Sequence, residues 1–139
     1  MRFLDANVFI YAYLKPKRGL ADEERKLKEM AKSIIRRVNE GEKVITSIVH
    51  LSEVANILEN AMTIAALSEL IKGILSLDNI AVIEVSSHDY LMAADLASIH
   101  NIGVNDSLAL IKMRERGVDE IYSFDKHFDE IEGITRVWN

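Results

Sequence analysis

Short apolar runs alternate with longer segments of helical period along this chain, and that alternation leaves few folds open. Residues 2–4, 43–46, 79–85, 120–123 and 135–138 read as strands, with 79–85 rich in valine and isoleucine. Helices fill most of the intervals. Residues 8–14 form an apolar helix ended by Pro16 and Gly19. Residues 22–40 carry Leu27, Met30, Ala31, Ile34 and Val38 at helical spacing, with Gly41 as the stop. Thr46 or Ser47 is placed to cap a helix bearing Ile48, Leu51, Ala55 and Leu58. Further helices are predicted over 63–77, over 87–100 behind a Ser87 cap, and over 106–116 after a break at Gly103. Strands separated by helices need crossover connections, which make the strands parallel and cover both sheet faces. The expected fold class is α/β, a single three-layer α/β/α domain with a central parallel sheet.

Length supports one domain over 1–139, since 139 residues can bury a real core without staples. A 49% hydrophobic content excludes a disordered chain. Without cysteine there is no disulfide, thiolate zinc site or thiol nucleophile. No secretory pattern follows Met1, and no apolar run approaches the roughly 20 residues needed to span a bilayer. A cytoplasmic protein is expected. The net charge of -5 opposes a non-specific grip on nucleic acid, but metal ions in an acidic pocket would offset it. Lys15, Lys17 and Arg18, and then Lys112, Arg114 and Arg116, are the basic groups that could meet a phosphate backbone. Ordinary solvated charge is the plainer reading of each.

Four carboxylates are placed in a way the fold can use. In an open parallel sheet, ligands bind beyond the carboxyl ends of the strands. Asp5 closes the first strand, Asp125 follows the strand at 120–123, and Glu53 lies in the early turns of the helix after the second strand. Asp106 starts a helix, preceded by Gly103 rather than by a strand. Taken singly, Asp106 reads as a helix-start residue and Asp125 as a turn residue. Asp5 is harder to dismiss between Phe3-Leu4 and Val8-Phe9-Ile10. Glu53 is harder still, because helical spacing sets it on one stripe with Val49 and Ile57, where an unpaired carboxylate would be costly. A divalent metal is one partner that would satisfy such a group.

The segments FLDANVFIYAYL, TSIVHLSEVANIL and GVNDSLALIKMRERGVDEIYSFDKHFDEIEGI, in that order, resemble the motifs of the PIN-domain family, and within it the small prokaryotic VapC toxin type. The resemblance implies a PIN-like fold and a metal-dependent endoribonuclease. It places catalytic, metal-holding acids at Asp5, Glu53, Asp106 and Asp125, with one or two Mg²⁺ or Mn²⁺ ions as cofactor. Asn7 and Ser123 match supporting polar positions, though Asn7 equally suits a helix cap. It also implies an RNA substrate, a small antitoxin protein as partner, and a homodimer, for which the helix at 63–77 with Ile64, Leu67, Ile71 and Leu75 is a possible interface. Non-toxin RNA processing, or a non-catalytic RNA-binding scaffold, are the alternatives. The chemistry agrees with the residue types, because hard cations prefer carboxylate oxygen and activate water for attack on phosphorus.

The remaining polar residues are expected in the background. His50, His88, His100 and His127 lack zinc-like spacing, so surface or helix-end roles are expected. His127 could touch substrate, Asp95 reads as a solvated acid, and Asp129 is a secondary candidate for the acidic cluster.

Overall fold

The computed structural model describes residues 1–14 and 21–139. The expected helix stop at Pro16 and Gly19, and the basic candidates Lys15, Lys17 and Arg18, lie outside the described residues. The elements run β1 (Arg2–Leu4), α1 (Ala6–Tyr13), α2 (Asp22–Asn39), β2 (Val44–Ser47), α3 (Ile48–Leu58), α4 (Ile64–Ser76), β3 (Ile80–Ile83), α5 (Ser87–His100), α6 (Val104–Glu115), β4 (Glu120–Tyr122) and β5 (Thr135–Val137). A 3₁₀ turn, Lys126–Glu130, joins the last two strands.

All strand pairs are parallel, and the order across the sheet is β3-β2-β1-β4-β5. Side chains alternate between the faces with the strand period of two. Leu4, Val44, Ile80 and Tyr122 enter a core with residues of α1 to α4, including Phe9, Ile34, Val54 and Leu67. Phe3, Ile45, Ile83 and Ile121 enter a second core with Ala109, Leu110 and Met113 of α6, against which Leu96 of α5 packs. Apolar residues on both faces of the sheet therefore produce the three-layer α/β/α fold. Among the described residues, no helix is long and apolar enough to cross a membrane.

Local chemistry sets the boundaries. Ser47 caps α3 by accepting from the His50 N–H, whereas the Thr46 hydroxyl donates to the Leu4 carbonyl and ties β2 to β1. The cap of α5 is Ser86, not Ser87 as expected: its side chain accepts from the Asp89 N–H while Asp89 accepts from the Ser86 N–H. That reciprocal pair is a capping box, for which only Ser86 has an acid at the right spacing. Helix α6 begins at Val104, two residues before the expected start, because Gly103 turns the chain and Asp106 complements the helix N-terminus from within the first turn. β3 stops short of the expected 79–85. Asn79 instead gives its side-chain amide to the carbonyls of Val38 and Glu42, each at 2.7 Å.

Candidate active site

The strand order fixes where a site can form. After β1 the chain builds β2 and β3 on one side, then crosses to place β4 and β5 on the other. The crevice of such a sheet lies where this reversal occurs, at the carboxyl ends of β1 and β4. Asp5 follows β1 directly, and its N–H continues the ladder to the Tyr122 carbonyl at 3.0 Å. Ser123 and Asp125 follow β4.

Asp5 is 5% exposed and held from two sides. One oxygen accepts from the Ala6 N–H at 2.8 Å, capping α1, and the other accepts from the Ser123 hydroxyl at 2.6 Å. Burial pushes its pKa up to about 6, while these two hydrogen bonds pull down and the charges of Glu53 and Asp125 push up further. Ser123 Oγ also accepts from the Asp125 N–H at 3.0 Å and stands 3.4 Å from the Asn7 amide nitrogen. The expected alternative that Asn7 caps α1 is corrected, since Asp5 fills that position. Asn7 bridges to the loop after β4, with its side-chain oxygen accepting from the Phe124 N–H at 3.4 Å.

Asp106 comes from the other face of the sheet, on the first turn of α6, and is half-buried. Its pKa rises to about 7, chiefly through burial, then through the charges of Asp5 and Asp125, a hydrogen bond with Asp125 and the charge of Glu53. Crowding by the three other acids thus adds to the cost of burying this carboxylate. Its approach depends on Gly103, where a Cβ would stand 3.3 Å from Asp106 Oδ2. Asp125 opens the 3₁₀ turn by accepting from the His127 N–H at 2.9 Å. Asp106, Asp125 and His127 each offer a ligand atom within 4.8 Å of the others. Glu53 lines a shallow cavity of about 340 Å³ with Tyr90, Gly103, Val104, Asn105 and Asp106. Tyr90 donates its hydroxyl to Asn105 Oδ1 at 2.7 Å, closing one wall.

The four acids thus meet at one sheet edge, but Glu53 does not lie on the buried stripe that its helical spacing predicts. The buried stripe of α3 is His50, Leu51, Val54 and Leu58. Glu53 and Val49 are only half-buried and Ile57 is exposed, so Glu53 stands at the rim. Of the surface or helix-end roles expected for His50, it takes the second: it lies in the first turn of α3 beside the Ser47 cap, but fully buried. Its ring packs edge-on against Phe3 and its Nδ1 lies 2.6 Å from Ser47 Oγ, while Nε2 has no hydrogen-bond partner. Burial lowers its pKa to about 4, opposed by the nearby Asn105 backbone.

Asp129 does not join the acidic cluster. It makes paired bonds of 2.9 Å to Arg136, which holds its carboxyl below the usual range. Among the other candidates, Asp95, His88 and His100 are exposed, as expected. Lys112 is buried and engaged by Asp89 at 2.9 Å and Glu115 at 3.2 Å, so it is not a backbone contact for nucleic acid. Arg114 and Arg116 are exposed, but eight and ten residues beyond Asp106 they lie about 12–15 Å down the helix axis, away from the acids.

The donor set fits a hard divalent cation. Carboxylate oxygens dominate it, and their mutual repulsion has no cation to relieve it among the residues that shift Asp5 and Asp106.

Two solved structures match the chain throughout. VapC20 of Mycobacterium tuberculosis, a toxin cleaving the sarcin-ricin loop, superposes with a TM-score of 0.75 at 20% identity, covering 100% of both chains. VapBC2 from Rickettsia felis, solved bound to a DNA fragment from its promoter, gives a TM-score of 0.65 at 14% identity over 99% of this chain and 98% of that one. Identities this low bear on the fold alone. No curated protein matches by sequence. The PIN domain pattern matches residues 2–134. With that match covering nearly its whole length, the chain belongs to the PIN-domain family.

Proposed function

We propose that this protein is a divalent-metal-dependent endoribonuclease that hydrolyses RNA phosphodiester bonds, acting as the toxin of a VapBC-type pair. The observation that carries the reading is the meeting of Asp5, Glu53, Asp106 and Asp125 at the carboxyl edge of β1 and β4. Asp5, Asp106 and Asp125 hold one or two Mg²⁺ or Mn²⁺ ions, and Glu53 at the rim ligates or accepts a proton. The chemistry such an ion supplies is charge neutralisation at the phosphate and a more acidic attacking water. Ser123 and Asn7 position Asp5 and Asp125 relative to each other. Family membership and the fold shared with two toxin-system proteins support the toxin assignment.

The same reading makes 1–139 one domain, working in the cytoplasm on RNA. A small antitoxin protein is its partner, inserting a segment that blocks the acidic pocket. Homodimerisation is part of the proposal. On α4, Ile64 and Leu75 are exposed and available for it, whereas Leu67 is buried and Ile71 half-buried in the monomer.

Purified protein incubated with single-stranded and structured RNAs, in Mg²⁺, Mn²⁺ or EDTA, tests the activity beside an Asp5→Asn variant. Cleavage with metal and none in EDTA or the variant is expected. Persistence in either would defeat the metal mechanism, and failure on every RNA would favour a non-catalytic scaffold.

A further inference from the structure

We propose that His127 is itself a ligand of the divalent ion, binding through Nδ1 beside Asp106 and Asp125, and that it biases the site toward transition-metal ions over Mg²⁺. This rests on the metal-dependent reading above. Sequence spacing gives His127 no metal role, only a surface or helix-end position from which it could touch substrate, but the fold brings it to the acids. Among the described residues, the set of Asp106, Asp125 and His127 is the one whose ligand atoms converge within 4.8 Å. Nδ1 lies 3.1 Å from Asp125 Oδ1. Adjacent ligands on an octahedral ion lie about 3 Å apart when each bond is about 2.1 Å, so this pair already has the spacing of one octahedral edge.

The imidazole is exposed, yet its backbone is pinned on both sides. Its own N–H donates to Asp125 Oδ1 at 2.9 Å, and Phe128 is fully buried in the second core. Asp129 is clamped by Arg136, which also donates to the Ser123 carbonyl at 3.3 Å. These contacts hold the turn that carries the ring beside Asp125. Ligation by Nδ1 requires the neutral ring with its proton on Nε2. An imidazole nitrogen binds Mg²⁺ poorly, whereas divalent first-row ions gain from it in the order Mn²⁺ below Co²⁺ below Ni²⁺. The competing role for His127 is a hydrogen bond from Nδ1–H to Asp125 alone.

Pulsed electron paramagnetic resonance of bound Mn²⁺ separates the two, together with calorimetric Ni²⁺ and Mg²⁺ affinities for the wild type and His127→Gln. Gln keeps a hydrogen-bond donor near Asp125 while removing the imidazole. Expected are ¹⁴N modulation from a coordinated ring in the wild type and its loss in the variant. Ni²⁺ affinity should fall about tenfold or more while Mg²⁺ affinity stays within about twofold. Bound Mn²⁺ without ¹⁴N modulation, or equal losses for both ions, would overturn ligation by His127 while leaving the metal site standing. A wild type that binds no Mn²⁺ would overturn the metal reading and His127 ligation together.

Discussion

Ser123 Oγ serves three partners at once: it donates to Asp5, accepts from the Asp125 N–H and faces the Asn7 amide. A hydroxyl suits this position because it is both donor and acceptor, and because Ser123 is fully buried no water can replace it freely. Ser123→Ala leaves Asp5 buried with one bond fewer. A stability loss of about 2 kcal/mol is expected from denaturant unfolding, with weaker divalent-metal binding. Ser123→Thr, which keeps the hydroxyl, should recover binding better than Ala does. At this scale the sequence was informative where an acid interrupts apolar residues, as at Asp5. It misled at Glu53, because helical spacing identifies a stripe but not how far that stripe is rotated from the core. His50 was equally hidden. A lone histidine carries no periodic signal, and its burial follows from the Phe3 ring and Ser47 cap that only the folded chain brings to it.

The elements divide in the same way. α2, with a long polar face and a regular apolar one, was readable almost to its ends, and the strands were readable to within a few residues. The Lys126–Glu130 turn was not, because five residues are too few to show a period and its buried anchor is the single Phe128. The start of α6 was obscured by Gly103, whose purpose is spatial. A Cβ there would press on Asp106 Oδ2 from 3.3 Å, and the carboxylate would have to give by a few tenths of an ångström. At φ -61° and ψ 153° the backbone at Gly103 accepts any residue, so Gly103→Ala introduces no strain in the chain itself. The gain from a stiffer unfolded chain and the loss of a favourable helix cap oppose each other, keeping stability within about 0.5 kcal/mol. Metal affinity should nevertheless fall, by up to about tenfold. Calorimetric titration with Mn²⁺ alongside thermal melts checks the pair of outcomes; unchanged affinity would show that Asp106 can move without cost.

For the whole molecule, pH acts on stability from both directions. Asp5 and Asp106 have folded pKa values near 6 and 7, above the ordinary 3.8, so the metal-free folded state keeps protons that the unfolded chain releases. Their contribution is complete below about pH 4 and is lost as pH rises through 6 to 7. His50 runs the other way. With a folded pKa near 4 against an unfolded 6.5, it stays neutral while the unfolded chain gains a proton. Its contribution is therefore present above pH 6.5 and is lost as pH falls toward 4. Between pH 4 and 6.5 the slopes oppose, so the wild-type profile alone cannot assign them. Subtracting the profile of His50→Gln isolates the histidine, since both proteins retain the acids. The stability of wild type relative to the variant should drop by about 2 kcal/mol between pH 7.5 and pH 5, measured by urea unfolding in EDTA. A difference that stays level across this range would mean that His50 takes up its proton inside the folded core.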